Sequence, residues 1–232
     1  MDASAELAAA PPAAAAVFGA ALPLVEAYAA LLAGPGVARG LLGPRAAPRL
    51  WERHLLNCAG LAELVEPGQV VADVGSGAGL PGVVLALQRP DVTVLLVEPL
   101  LRRSTFLEEV VAELGLRTVL VRRARAEELA GSTLVDVVVA RAVAPLDRLA
   151  GWSLPLLRPG GRLLALKGER ADAELAESGA ALRRAGAASA RVVQVGEADA
   201  HTLARVVVVE RGAAAPAVRR PSARAAARRT RR

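Results

Sequence analysis

Short apolar runs and longer periodic stretches alternate along this chain. Runs that are apolar at successive residues recur at 70–74, 92–97, 118–121, 134–139 and 162–166. Between them, apolar residues return at helical steps over 83–88, 101–114, 145–156 and 171–185. Runs of the first kind are strands buried on both faces, and stretches of the second kind are helices lying against a core. Their alternation predicts a parallel sheet covered on both sides. Two last runs, 191–195 and 203–209, have no helix between them and predict an antiparallel hairpin at one sheet edge. Five βα units plus a hairpin make a seven-stranded, mostly parallel sheet.

Ahead of the first strand the pattern is helical. Residues 1–12 read as loose, a helix is expected over 13–32 with a bend near Pro23, and Gly34-Pro-Gly36 and Gly43-Pro44 punctuate the chain. A second helix over 48–65 puts Leu50, His54, Leu55, Leu61, Leu64 and Val65 near one stripe. The expected division is a loose N-terminus 1–12, a helical extension 13–66, an α/β domain 67–210 and a basic tail 211–232 expected to be disordered. Residues 7–25 carry no charge, but Asp2 and Glu6 precede them and Pro11, Pro12 and Pro23 interrupt them, so neither a signal peptide nor a membrane segment is expected.

Composition narrows the chemistry. With 53% hydrophobic residues and only five aromatics, Phe18, Tyr28, Trp51, Phe106 and Trp152, the core must be Leu, Val and Ala, and few rings remain to stack on bases. Cys58 is the single cysteine, so no internal disulfide forms and no cysteine-based zinc site exists. Two histidines make metal chemistry a poor prospect, and the expected compartment is the reducing cytoplasm. The net charge of +6 is concentrated at the end: Arg219, Arg220, Arg224, Arg228, Arg229, Arg231 and Arg232 face no acid there. Without those seven, 22 basic residues balance 23 acids. Such a tail either contacts RNA phosphates non-specifically or is simply solvated.

The glycine turn carries the first functional signal. Open α/β sheets bind ligands at the C-terminal ends of their strands, and the first strand delivers Asp73-Val-Gly-Ser-Gly-Ala-Gly79 there. Gly75, Gly77 and Gly79 permit positive φ and leave room for a ligand against the backbone. Gly77-Ala-Gly-Leu-Pro-Gly82 formally matches the dinucleotide fingerprint, so a nicotinamide-dependent oxidoreductase competes. The frame that starts at Asp73 fits S-adenosyl-L-methionine better, with the Asp73 carboxylate ordering the turn or reaching the methionine amino group through water. Glu98, at the end of the second strand, is placed to accept from ribose hydroxyls and supports either cofactor. The third strand leads to Ala124-Arg-Ala-Glu127-Glu128, expected beside adenine, and the fourth to Arg141, expected to meet cofactor, phosphate or target base. These features give the fold class as a class I, Rossmann-like methyltransferase.

Exclusion narrows the methyl acceptor. Exocyclic amine methylation commonly uses an Asn/Asp-Pro-Pro-aromatic loop after the fourth strand, where this chain has Arg141-Ala-Val-Ala-Pro145. Pyrimidine C5 methylation needs a thiolate, and Cys58 lies before the sheet on an expected helix. Guanine N7 remains among the acceptors: its in-plane lone pair needs no general base, and alignment supplies most of the acceleration.

The chain resembles the RsmG (glucose-inhibited division protein B) family of bacterial 16S rRNA guanine-N7 methyltransferases. The matching blocks are Trp51-Glu-Arg-His-Leu-Leu-Asn57, the turn from Asp73 through Gly82, Glu98-Pro-Leu-Leu-Arg-Arg103, Phe106-Leu107, Arg125-Ala-Glu127, Ala140-Arg-Ala142 and Leu166-Lys-Gly168. They span about residues 17–210 in the family's order. The resemblance implies cofactor contacts at Gly75, Leu80, Glu98, Ala126, Glu127 and Arg141, with Arg53, His54, Arg141 and Lys167 on the side facing RNA. It also implies 16S rRNA or a small-subunit precursor as partner, and a monomer is expected. A ribosome-assembly factor that binds RNA without catalysis is the other alternative. Nothing in the resemblance bears on the arginine-rich end.

Overall fold

A computed structural model describes residues 7–197 and 202–213. The tail's arginines from Arg219 on, His201 and the first six residues lie outside the described residues. Seven strands form one sheet in the order β3-β2-β1-β4-β5-β7-β6. They are β1 (Val70–Val74), β2 (Thr93–Val97), β3 (Val119–Arg122), β4 (Val135–Arg141), β5 (Leu157–Lys167), β6 (Ala187–Val195) and β7 (Ala204–Arg211). β1 to β5 pair in parallel, and β7 runs antiparallel to both β5 and β6. That is the class I methyltransferase sheet. The antiparallel strand wedged between β5 and β6 separates it from the all-parallel dinucleotide arrangement.

Eight α-helices surround the sheet: α1 (Pro12–Phe18), α2 (Leu22–Leu31), α3 (Asn57–Ala59), α4 (Gly82–Gln88), α5 (Leu101–Glu113), α6 (Ala126–Leu129), α7 (Leu146–Ser153) and α8 (Ala171–Ala185) among the described residues. The expected helix over 13–32 is two helices joined by a 3-10 turn, Gly19–Ala21, so the break falls ahead of Pro23. The expected helix over 48–65 starts earlier and is irregular: a 3-10 stretch Pro44–Arg49, a π-helical turn Trp51–Leu56, α3, and a 3-10 stretch Gly60–Leu64. α6, only four residues long, escapes a periodicity argument altogether.

Two apolar layers hold the sheet. On one face α4, α5 and the N-terminal helices pack with Val71, Val94, Leu96, Val137, Val139 and Leu164. On the other, α7 and α8 pack with Ala72, Leu95, Val138, Leu163, Ala165 and Val207. Alternate residues of each strand serve opposite layers, as burial on both faces requires. The run Pro12–Gly36 has 25 residues and contains an 18-residue stretch of mean hydropathy 1.8, enough by length and composition to cross a membrane. Here its Ala14, Phe18, Val25, Tyr28 and Leu32 are core residues of the first layer. The extension is therefore part of the same packed body as the sheet.

Candidate active site

A cleft of about 480 Å³ opens at the C-terminal ends of β1, β2 and β4, where the strand order reverses. Gly75, Gly77, Leu80, Glu98, Glu127 and Arg141 all line it, and Ala126 does as well. The sequence-read turn, the acid one strand away and the loop beyond the third strand are thus brought together.

The glycines of the turn do different jobs. Gly75, Gly77 and Gly79 have φ of 72°, 58° and 101°, so each needs glycine. Only at Gly77 would a side chain enter open space, its nearest neighbour being the Gly75 carbonyl oxygen at 3.8 Å. A Cβ at Gly75 would meet Val143 at 2.8 Å, and one at Gly79 would meet Val83 at 2.6 Å and the Tyr28 hydroxyl at 2.7 Å. Room against the backbone is therefore a property of Gly77, while Gly75 and Gly79 admit the protein's own side chains.

Asp73 faces the interior and is not among the residues lining the cleft. Its Oδ2 accepts from the Gly82 backbone N–H at 2.9 Å, and a Cβ at Gly82 would lie 2.6 Å from that oxygen. The acid therefore ties the end of β1 to the start of α4 and orders the turn. Its Oδ1 is buried without a partner. Burial pushes the Asp73 carboxyl up to about 7, against the opposing pull of the Gly82 hydrogen bond. Tyr28, wholly buried, donates to the Ala78 carbonyl at 2.8 Å and braces the turn from the extension.

Glu98 is 2% exposed and faces the cleft from the end of β2. Its Oε2 accepts from the Gly77 N–H and its Oε1 from the Leu100 N–H, both at 3.0 Å. Each oxygen keeps a further lone pair, so the carboxylate can still accept from two hydroxyls. The Arg103 guanidinium lies 3.7 Å away. Trp152 of α7 and Arg103 also line the cleft. Trp152 was not legible as a site residue, since α7 reads as an ordinary amphipathic helix, and Arg103 stands in the Glu98–Arg103 block of the resemblance without an assigned role.

Arg141, the last residue of β4, points to the extension. Its Nη2 donates to His54 Nδ1 at 2.6 Å and its Nη1 to the Arg53 carbonyl at 3.1 Å. His54 is held neutral: burial and the charges of Arg141 and Arg53 lower it to about 4. Lys167 does not line the cleft. Its Nζ pairs with Glu174 at 2.7 Å and donates to the Ala144 carbonyl at 3.2 Å. Cys58 is buried, and burial pushes its thiol up to about 11. No group of three or more His, Cys, Asp or Glu among the described residues could hold a metal ion.

The model of the GidB family, rRNA small subunit methyltransferase G, matches residues 21–203 of this chain. The chain is 55% identical over 231 residues to the ribosomal RNA small subunit methyltransferase G of Streptomyces avermitilis, covering 99% of this chain and 97% of that relative. The chain belongs to this family. A second GidB family relative, from Thermobifida fusca, is 58% identical over 195 residues, or 83% of this chain and 82% of its own. Among solved structures, a SAM dependent methyltransferase from Aquifex aeolicus superposes with a TM-score of 0.53 at 21% identity, over 70% of this chain and 93% of that one. At such identity the likeness is one of fold. The GidB assignment makes the chain an S-adenosyl-L-methionine-dependent methyltransferase, in keeping with the frame that begins at Asp73.

Proposed function

We propose that this enzyme transfers a methyl group from S-adenosyl-L-methionine to N7 of a specific guanine in 16S rRNA, by direct attack and without a general base. The name its relatives carry, ribosomal RNA small subunit methyltransferase, supports the substrate class. The observation that carries the chemistry is the make-up of the cleft: Glu98 offers a ribose acceptor and Arg141 a cation, while the imidazole and thiol nearest that cation, His54 and Cys58, are engaged or buried.

In this reading Glu98 takes the ribose hydroxyls, Gly75, Gly77 and Leu80 lie along the amino-acid and ribose portions, and Ala126 and Glu127 bound the adenine. Arg141 stands at the methionine end. The Glu98 lone pairs and the open face of Gly77 fit such a ligand. Asp73 acts beneath the turn and shapes it. Bound here, the cofactor supplies an electrophilic methyl group on a sulfonium. Guanine N7 brings its lone pair in the ring plane and has no proton to lose, so the protein's task is alignment. The groups near Arg141 that could serve as a base are otherwise engaged: His54 accepts from Arg141, and the Cys58 thiol is buried and neutral. The cytoplasm is the compartment that fits a reduced, buried Cys58. The arginine-rich tail adds non-specific attraction to RNA phosphates in this scheme.

Purified protein incubated with radiolabelled cofactor and small ribosomal subunits or 16S rRNA should label one guanine, with the label released as 7-methylguanine. Unlabelled RNA across a range of salt and magnesium, or label on another base, would overturn the reading. Deleting residues 219–232 should weaken RNA binding and leave transfer at saturating RNA intact.

A further inference from the structure

Arg141 is a cleft-lining cation without a carboxylate partner among the described residues. Its two hydrogen-bond acceptors, His54 Nδ1 at 2.6 Å and the Arg53 carbonyl at 3.1 Å, are both uncharged. A guanidinium always donates, so His54 Nδ1 must be the unprotonated nitrogen, and the ring carries its proton on Nε2. Neutral acceptors orient a cation without cancelling its charge. A carboxylate in the same place would compete with an anionic group of a ligand; an imidazole does not.

The scaffold around this contact holds both partners in place. His54 sits in the π-helical turn Trp51–Leu56, whose Trp51, Leu55 and Leu56 are buried. Trp51 is tied down further by its indole N–H, which donates to the Ala8 carbonyl at 3.0 Å. On the other side, the chain leaves β4 sharply after Arg141: Ala142 has φ of 54°, alone among the described non-glycine residues in that region. Such a conformation persists only where its surroundings hold it.

We infer that His54 is a positioning residue: as a neutral acceptor it holds the Arg141 guanidinium in the cleft, so the helical extension sets the cofactor end of the site. This rests on the reading that Arg141 contacts the cofactor, and it reassigns His54 from a direct RNA contact. The extension then contributes to catalysis from 87 residues away in sequence.

The test compares His54→Ala, His54→Asn and His54→Gln with Arg141→Met, reading S-adenosylhomocysteine affinity by calorimetry, KM for rRNA, and thermal unfolding to confirm folding. Asn places its oxygen where Nδ1 lies, whereas Gln places it one bond further out. Loss of a hydrogen bond to a charged group predicts that His54→Ala and His54→Gln weaken S-adenosylhomocysteine about tenfold. His54→Asn should restore most of the affinity, and the double variant His54→Ala/Arg141→Met should be no weaker than Arg141→Met alone. If Arg141→Met leaves the affinity unchanged, the assignment of Arg141 to the cofactor fails. If Arg141→Met weakens binding and His54→Ala does not, or His54→Ala raises only the KM for rRNA, the positioning role is overturned.

Discussion

Lys167 and Glu174 form an ion pair at 2.7 Å across the end of β5 and the first turn of α8, and the same Glu174 oxygen accepts from the Leu146 backbone N–H at 2.7 Å. Lys167 also donates to the Ala144 carbonyl. One carboxylate and one ammonium thus brace the loop from Ala142 to Pro145, which follows Arg141 and borders the cleft. The pair is half-buried, so it is worth more than a surface bridge.

Replacing Lys167 with Ala should therefore lower stability by about 1–2 kcal/mol and reduce turnover through the loop. The slope of RNA affinity against salt should stay the same. A phosphate contact would instead cut that slope by about one. Salt titrations of RNA binding for both proteins decide between the two.

The turn itself is braced by Tyr28. Tyr28→Phe removes the donor to the Ala78 carbonyl and should cost about 1–2 kcal/mol, with a parallel loss of S-adenosylhomocysteine affinity. Gly79→Ala combines a φ of 101° with collisions at 2.6 and 2.7 Å and should be far worse, leaving little folded protein. Denaturant unfolding and calorimetry test both.

Asp73 predicts a pH dependence of unusual sign. Its folded carboxyl is raised to about 7 from an ordinary value of 3.8. The native state therefore holds a proton that the unfolded chain releases. The stabilisation is complete below the unfolded value and is lost as pH rises through about 7. Asp73→Asn keeps an acceptor for the Gly82 N–H and carries no charge. Cofactor-free wild type should lose thermal stability between about pH 4 and 7 relative to Asp73→Asn and level off above that, and equal profiles would refute this.

Glu98 predicts a graded loss. Glu98→Gln keeps one acceptor oxygen and should weaken S-adenosylhomocysteine by about 1–2 kcal/mol, while Glu98→Ala removes both acceptors and should weaken it further. Calorimetric titration of the two variants measures the difference. Equal affinity to wild type would remove the ribose assignment.

The pattern of the chain by itself determined the architecture. Strand and helix periodicities are local, each element declares itself within a dozen residues, and the alternation leaves few topologies open. The same reasoning located Gly77 and Glu98, because a strand end in an open sheet has a known position. What only the tertiary structure decided are the partners that lie far apart in sequence. Tyr28 meets Ala78 across 50 residues, and His54 meets Arg141 across 87. Helical periodicity says which face of the extension is buried, but it cannot say which strand end that face will cover. For the same reason the sequence left Asp73 either to order the turn or to reach the cofactor, and it could not show that Asp73 accepts from the Gly82 N–H or that Lys167 pairs with Glu174. A charged residue's role depends on what packs beside it, and that is set by the fold as a whole.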